Sequence, residues 1–277
     1  MRVAVVGHVE WIEFARVPEV PGAGAIVHAT ETWEEPGGGG AVAAVQLAKL
    51  AASDALFVTA LGDDALGHRV HAELSALGLR VEAAWRPVPQ RRGFVHVDAR
   101  GERTITVIGD RLGPHGSDRL PWDDLAGFDA VYFTAGDAEA ARRARAARVM
   151  TATTRALASL EPARVPLDAL LASAHDAGER YAAGDLVPEP DLVVRTAGAD
   201  GGTWEHRGGK HGEWAATSLP GTAQDAYGCG DSFAGGLTWA LAAGADPAEA
   251  VDVGARCGAA CLTGRGPYAG QLGSGEA

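Results

Sequence analysis

Short β-branched runs stopped by glycine alternate along this chain with longer apolar segments of helical period, and that alternation limits the fold more than any other feature. The pattern opens with "RVAVVG", an apolar run from Val3 to Val6 ending at Gly7. It continues with "AVAAVQLAKLA" as a helix, "ALFVTALG" as a strand and "ALGHRVHAELSALG" as a helix. The second half repeats the scheme: strand "DAVYFTA", helix "EAARRARAARV", strand "DLVVRTAG", then two apolar helices, "GDSFAGGLTWALAAG" and "PAEAVDVGARCGAACLTG". Strands that alternate with helices pack as a mainly parallel sheet covered on both faces. Two stretches break the scheme. "AIVHATETW" reads as a strand between glycine breaks, and "RGFVHVDARGERTITVIG" as two strands turning at "ARGE". Segments about 8–35 and 86–112 are therefore expected to form a small β lid over the sheet's ligand edge, within a single α/β domain spanning 1–277.

Bulk properties exclude several function classes. Hydrophobic residues make up 47% of the 277, enough for a substantial core. The net charge of −12 argues against nucleic-acid binding through phosphate neutralisation, while leaving room for a small phosphorylated ligand in a local pocket. The arginines of 142–148 read as a solvated helix face. Cys229, Cys257 and Cys261 lack paired CxxC spacing, so zinc is not expected, and free thiols point to a reducing compartment. The apolar run at the N-terminus is too short for a signal peptide or a membrane span, so the expected location is cytoplasmic.

The chemistry concentrates in "DAYGCGDSFAGG", residues 225–236, where a glycine-rich loop runs into a helix and places a carboxylate, Asp231, at its start. A helix start exposes unpaired N–H groups and the positive end of the macrodipole, so it attracts anions. Asp231 can serve merely as a charge on the first turn. It can also take a proton from an attacking hydroxyl while the N–H groups of Gly228, Cys229 and Gly230 hold a phosphoryl group, because phosphoryl transfer needs alignment, charge neutralisation and a proton acceptor.

This segment resembles the second signature of the PfkB (ribokinase-like) carbohydrate kinases, D-T-x-G-A-G-D-x-F-x-x-G, through Asp225, Gly228, Gly230, Asp231, Phe233 and Gly236; Cys229 replaces the usual alanine and Ala226 the threonine. "EEPGGGGAVAAVQLAKL" is similar to the family's first glycine-rich signature. "VTALGDDALGHRVHAELSALGL" is similar to the segment after it, "DARGERTITV" to the lid hairpin, and "LVVRTAGADGG" to the nucleotide-side strand and turn. The resemblance implies a ribokinase-like three-layer fold with a mainly parallel central sheet and a small β lid. It also implies an ATP-dependent kinase acting on a sugar-like small molecule, with Asp231 as base and residues 228–230 as anion hole. Thr196, Gly198 and Gly201 would lie near ATP. Asp225 would either help a monovalent-cation loop such as one for K+ or serve structure alone. Mg2+ would be touched through water by Asp176 and Glu179, or in another register by Ser173 and Asp176.

The acceptor side departs from the family. Relatives commonly carry an Asp where this chain has Ile12; Glu10 or Glu13 is the available substitute. Gly38, Gly39 and Gly40 would border the sugar, and Val42 stands where an Asn is usual, removing a hydrogen bond and shifting selectivity. His8 and Trp11 fall in the same mouth, Arg103 in the lid turn, and Arg155 resembles an arginine near the phosphates of some sugar-acid kinases. The acidic residues of the mouth favour a neutral sugar. A lid edge invites pairing into a homodimer. The competing expectation is a non-catalytic nucleotide- or sugar-binding protein that keeps the kinase fold.

Overall fold

Strand β1 (Val3–Val6) shows how the core divides: Val3 and Val5 enter one hydrophobic cluster, and Ala4 and Val6 the other, because successive side chains of a strand point to opposite faces. The computed structural model describes residues 1–53 and 55–277. In chain order the strands are β1, β2 (Glu10–Arg16), β3 (Glu31–Gly37), β4 (Ala55–Gly62), β5 (Leu79–Arg86), β6 (Arg92–Val97), β7 (Arg103–Ile108), β8 (Ala130–Phe133), β9 (Val149–Thr153), β10 (Ala169–Ser173), β11 (Leu192–Thr196), β12 (Gly202–His206) and β13 (His211–Trp214). The helices are α1 (Gly39–Ala51), α2 (Ala65–Ala76), α3 (Ala138–Ala144), α4 (Leu157–Ala163), α5 (Cys229–Ala243) and α6 (Pro247–Cys261).

Nine strands form one sheet in the order β13-β12-β11-β10-β9-β8-β1-β4-β5, parallel except for the β11-β12-β13 edge. One face is covered by α1, α2, α5 and α6, the other by α3 and α4, which gives three layers. A second sheet, β3-β2-β6-β7, is antiparallel except for the β2–β6 pair. It sits at the carboxyl edge of the parallel strands, since β2 leaves directly from β1, and β6 follows from β5. Ligands of open α/β sheets collect at that edge.

The strand expected at 25–33 begins only at Glu31. Its partner β2 pairs from Glu10 with Gly37 to Arg16 with Glu31 and then ends, so residues 25–29 have no ladder to join; Ile26 is 89% exposed. The arginine-rich helix is also shorter than its pattern, stopping at Ala144, because Val149 is needed for β9.

The β6–β7 hairpin docks on the loop before α5. Gly101, at φ 80° in the turn, accepts from Ala226 N at 3.0 Å, and Arg103 Nη1 donates to the Ala226 carbonyl at 2.9 Å. On the other side, α5 packs on α6 through glycines. A Cβ at Gly236 would stand 2.7 Å from Cys257 Sγ and 3.1 Å from Gly254 Cα. Gly236→Val is therefore expected to destabilise the protein by about 1–3 kcal/mol through overpacking, seen as a lower urea midpoint at unchanged m-value.

Candidate active site

Two helix N-termini meet at Asp231. Helix α5 starts from Gly228, whose φ of 83° suits glycine, and where a Cβ would press on Pro267 and Val42 at 2.9 and 3.0 Å. Helix α1 starts from Gly38, at φ 84°, whose N–H donates to Tyr227 Oη at 2.8 Å and so ties the two loops together. Between them, the Asp231 carboxylate lies so near Gly39 that a Cβ there would be 2.7 Å from Asp231 Oδ1. A Cβ at Gly230, in contrast, would meet nothing within 4 Å. Packing does not require glycine at 230; the missing side chain leaves open space above the first N–H groups of α5, which have no partner within the helix.

Half-buried Asp231 has its pKa pushed up to about 6, mainly by burial and next by Glu179, against the pull of Arg103 and Arg155. A carboxylate in this range accepts a proton at neutral pH more readily than an ordinary one.

The mouth beside Asp231 is built by β1, β2 and the two ends of the lid hairpin. His8 and Glu10 are both 7% exposed. Arg91 Nε lies 2.8 Å from Glu10 Oε1, and burial raises the Glu10 pKa against that pairing. Arg111 Nη2 lies 2.9 Å from His8 Nδ1 and donates to the Thr134 carbonyl at 3.1 Å. Because a guanidinium can only donate, His8 Nδ1 accepts. Burial, then Arg111 and Arg91, hold the His8 pKa well below its usual value, so the ring is neutral with its proton on Nε2, on the side of Glu10.

The remaining sequence-predicted residues divide. Gly39 borders the mouth, while Gly38 and Gly40 are buried, and a Cβ on Gly40 would strike the His8 backbone at 2.5 Å. Val42 is fully buried, so its side chain packs beneath Gly228 and does not face an acceptor; its carbonyl accepts from Gln271 Nε2 at 3.0 Å. Glu10 and Ile12 share one face of β2, and Ile12 is fully buried. Glu13 lies on the opposite face, 3.4 Å from Arg92 Nη1, and so does not join Glu10. Trp11, on that face too, is covered by the Arg69 guanidinium at 4.1 Å and is core rather than mouth.

At the other half of the edge, Thr196 ends β11 opposite Ser173 of β10. Gly198 is exposed at φ 56°, whereas Gly201 is buried against the Trp214 carbonyl of β13 and closes the turn. Asp225 is fully buried, and its two oxygens accept from Tyr227 N at 2.9 Å and Gly266 N at 3.1 Å, a cross-tie that fixes the loop before α5. Asp176 and Glu179 do come together, yet both grip Arg155: Asp176 pairs with its Nη2, and Glu179 Oε1 is 2.6 Å from its Nε. Among the described residues no cluster of three His, Cys, Asp or Glu side chains could cage a metal. Two carboxylates against one guanidinium leave a surplus negative charge, which fits a hydrated Mg2+ held through water and not a dehydrated ion.

Sequence reasoning missed Arg91 and Arg111. They flank the β6–β7 hairpin, Arg91 before β6 and Arg111 after β7, and only the strand pairing shows that both return to His8 and Glu10.

The sequence matches the pfkB family carbohydrate kinase pattern over residues 1–175 and 167–272. Among curated proteins none matches the chain by sequence. Solved structures do. Ribokinase from Giardia lamblia superposes with TM-score 0.83 at 19% identity, covering 99% of this chain and 97% of that one. Ribokinase from Thermotoga maritima gives 0.76 at 20% identity, covering 100% and 97%. Arabidopsis thaliana ribokinase, solved with ribose and ATP, gives 0.73 at 17% identity, covering 98% and 96%. Identities this low speak for the fold. The family match over nearly the whole chain, with an intact glycine-framed Asp231, carries the further conclusion that this protein belongs to the pfkB family of carbohydrate kinases.

Proposed function

We propose that the protein transfers the γ-phosphoryl group of ATP to a hydroxyl, a hydroxymethyl of a sugar or related small metabolite, with Asp231 as general base. The observation that carries this reading is the Asp231 carboxylate, with its pKa near 6, wedged at two helix N-termini beside open space at Gly230. In the step, the acceptor oxygen forms a new bond to the γ-phosphorus as the bond to the β-bridging oxygen breaks. The hydroxyl proton passes to Asp231, and ADP leaves with the electron pair. The N–H groups of residues 228–230 stabilise charge on the moving group where water is excluded. His8 Nε2–H and Gly39 border the acceptor. Thr196 and Gly198 face the nucleotide, with Gly201 acting through the turn it closes. Mg2+, held through water near Asp176 and Glu179, would neutralise phosphate charge.

Asp225 is committed to its cross-tie, so a monovalent cation such as K+ would rest on backbone carbonyls of that loop. Strand β7 is exposed along its whole length, with Ile105, Val107 and Ile108 each at least 40% exposed, which supports a homodimer through the lid. A non-catalytic reading has one observation in its favour: Ile12 and Val42 are both fully buried and offer an acceptor nothing polar.

ATP consumption with Mg2+ and K+, across sugars, sugar acids, sugar phosphates and nucleosides, tests the proposal. Turnover with one acceptor is expected, reduced by about two to four orders of magnitude in Asp231→Asn. ATP binding without turnover on any acceptor would leave the non-catalytic reading.

The pH dependence follows from the raised Asp231 pKa. kcat/KM is expected to climb with pH through about 6 and then level, and that limb should vanish in Asp231→Asn. The stability consequence has a definite sign. The folded state keeps this proton to about pH 6, against a usual 3.8, so the group lowers stability as pH rises from about 4 to 6 and fully above it. Asp231→Asn should therefore raise the melting temperature at pH 8, with the gain shrinking as pH falls toward 4.

A further inference from the structure

The arginines of the mouth are not equally satisfied. Arg91 faces Glu10, and Arg155 faces Asp176 and Glu179. Arg111 has no carboxylate within ion-pair distance among the described residues. Its three contacts are neutral: His8 Nδ1, the Thr134 carbonyl and, at 3.4 Å, the Arg155 carbonyl. A guanidinium has five N–H donors in a rigid fork, so about two remain for another partner. Desolvation of its head group, then the neighbouring Arg91 and Arg155, lower the Arg111 pKa from its usual value, while the side chain as a whole stays exposed and its remaining donors are open to an incoming anion.

Arg111 and Arg155 also line one cavity of about 480 Å³ with Thr134, Asp137, His115 and Ser159. Asp137, the carboxylate in the wall, has Oδ1 tied to Ala140 N of its own helix at 2.7 Å and to Gly116 N of the loop after β7 at 2.9 Å. The space thus has Arg111 and Arg155 in its wall at the carboxyl ends of β8 and β9, and of the two only Arg111 lacks a carboxylate partner among the described residues.

This is the acceptor's side of the edge. Arg111 follows lid strand β7 and binds residues at the ends of β1 and β8, and three strand spacings separate β8 from β11, about 14 Å away, where Thr196 lies. Resting on the kinase reading above, we propose that the acceptor carries an oxyanion, a phosphate ester or a carboxylate, besides the hydroxyl that meets Asp231, and that Arg111 selects it from within this cavity. The acidic residues of the mouth pointed to a neutral sugar; with Glu10 paired to Arg91 and Arg111 left over, this proposal points the other way.

The test is kcat/KM for matched pairs that all keep a free hydroxymethyl: ribose and ribonate, fructose and fructose 6-phosphate, glucose and gluconate. At least one charged member is expected to exceed its neutral counterpart by about tenfold or more in the wild type, a comparison that needs no variant. Arg111→Gln should collapse that preference by about 10- to 100-fold through the acceptor's KM, with Arg111→Lys restoring part of it. Turnover confined to neutral members overturns the proposal, as does an Arg111→Gln effect that is equal for both members or falls on the KM for ATP. ATP binding without turnover on any acceptor overturns the kinase reading and this one with it.

Discussion

The candidate site depends on the approach of the Asp231 carboxylate to Gly39. Any side chain at 39 would collide with it, and any retreat of α1 would open the sheet-facing core, since residues 40–48 of that helix are all buried. The glycines of 37–40, the phenol of Tyr227 and the cross-tie from Asp225 all serve to bring two helix N-termini against one acid. Burial there costs stability, as the raised pKa records, and the tight packing of α5 on α1 and α6 holds the strained arrangement in place.

How much of this was legible in the sequence depends on distance along the chain. The loop before α5 was legible because its logic is local: small residues, then an acid in a first helical turn. The β6–β7 hairpin was legible for the same reason. What depended on pairing was not. Glu10 meets Arg91 only because β2 and β6 run parallel with Trp11 opposite Arg92, and no short-range pattern encodes that register. Arg111 reaches His8 across 103 positions. Val42 was misplaced because α1 is buried nearly all round, so its apolar sequence has no wet face from which to fix the phase of its first turn.

Asp176 and Glu179 show a third kind of limit. Their spacing was readable, and the structure brings them together, but the Arg155 between them comes from the turn after β9. A pair of acids read as free ligands proves to be one ion-paired unit with a residual charge. Charge counted along a chain overstates charge felt in a site whenever the partner lies on another strand.

The donors at the start of α5 belong to the main chain, and this separates two things that could have been entangled. Side-chain substitution cannot remove an amide hydrogen unless it introduces proline, so the phosphoryl-holding role proposed for these groups would be indifferent to most mutations of the loop. On the proposed reading, the groups that border the acceptor are side chains on β2, at the two ends of the β6–β7 hairpin and on the turn after β8. Substrate preference can therefore drift one residue at a time over an unaltered reaction centre, which makes the mouth the part of this fold most open to selection for a new acceptor.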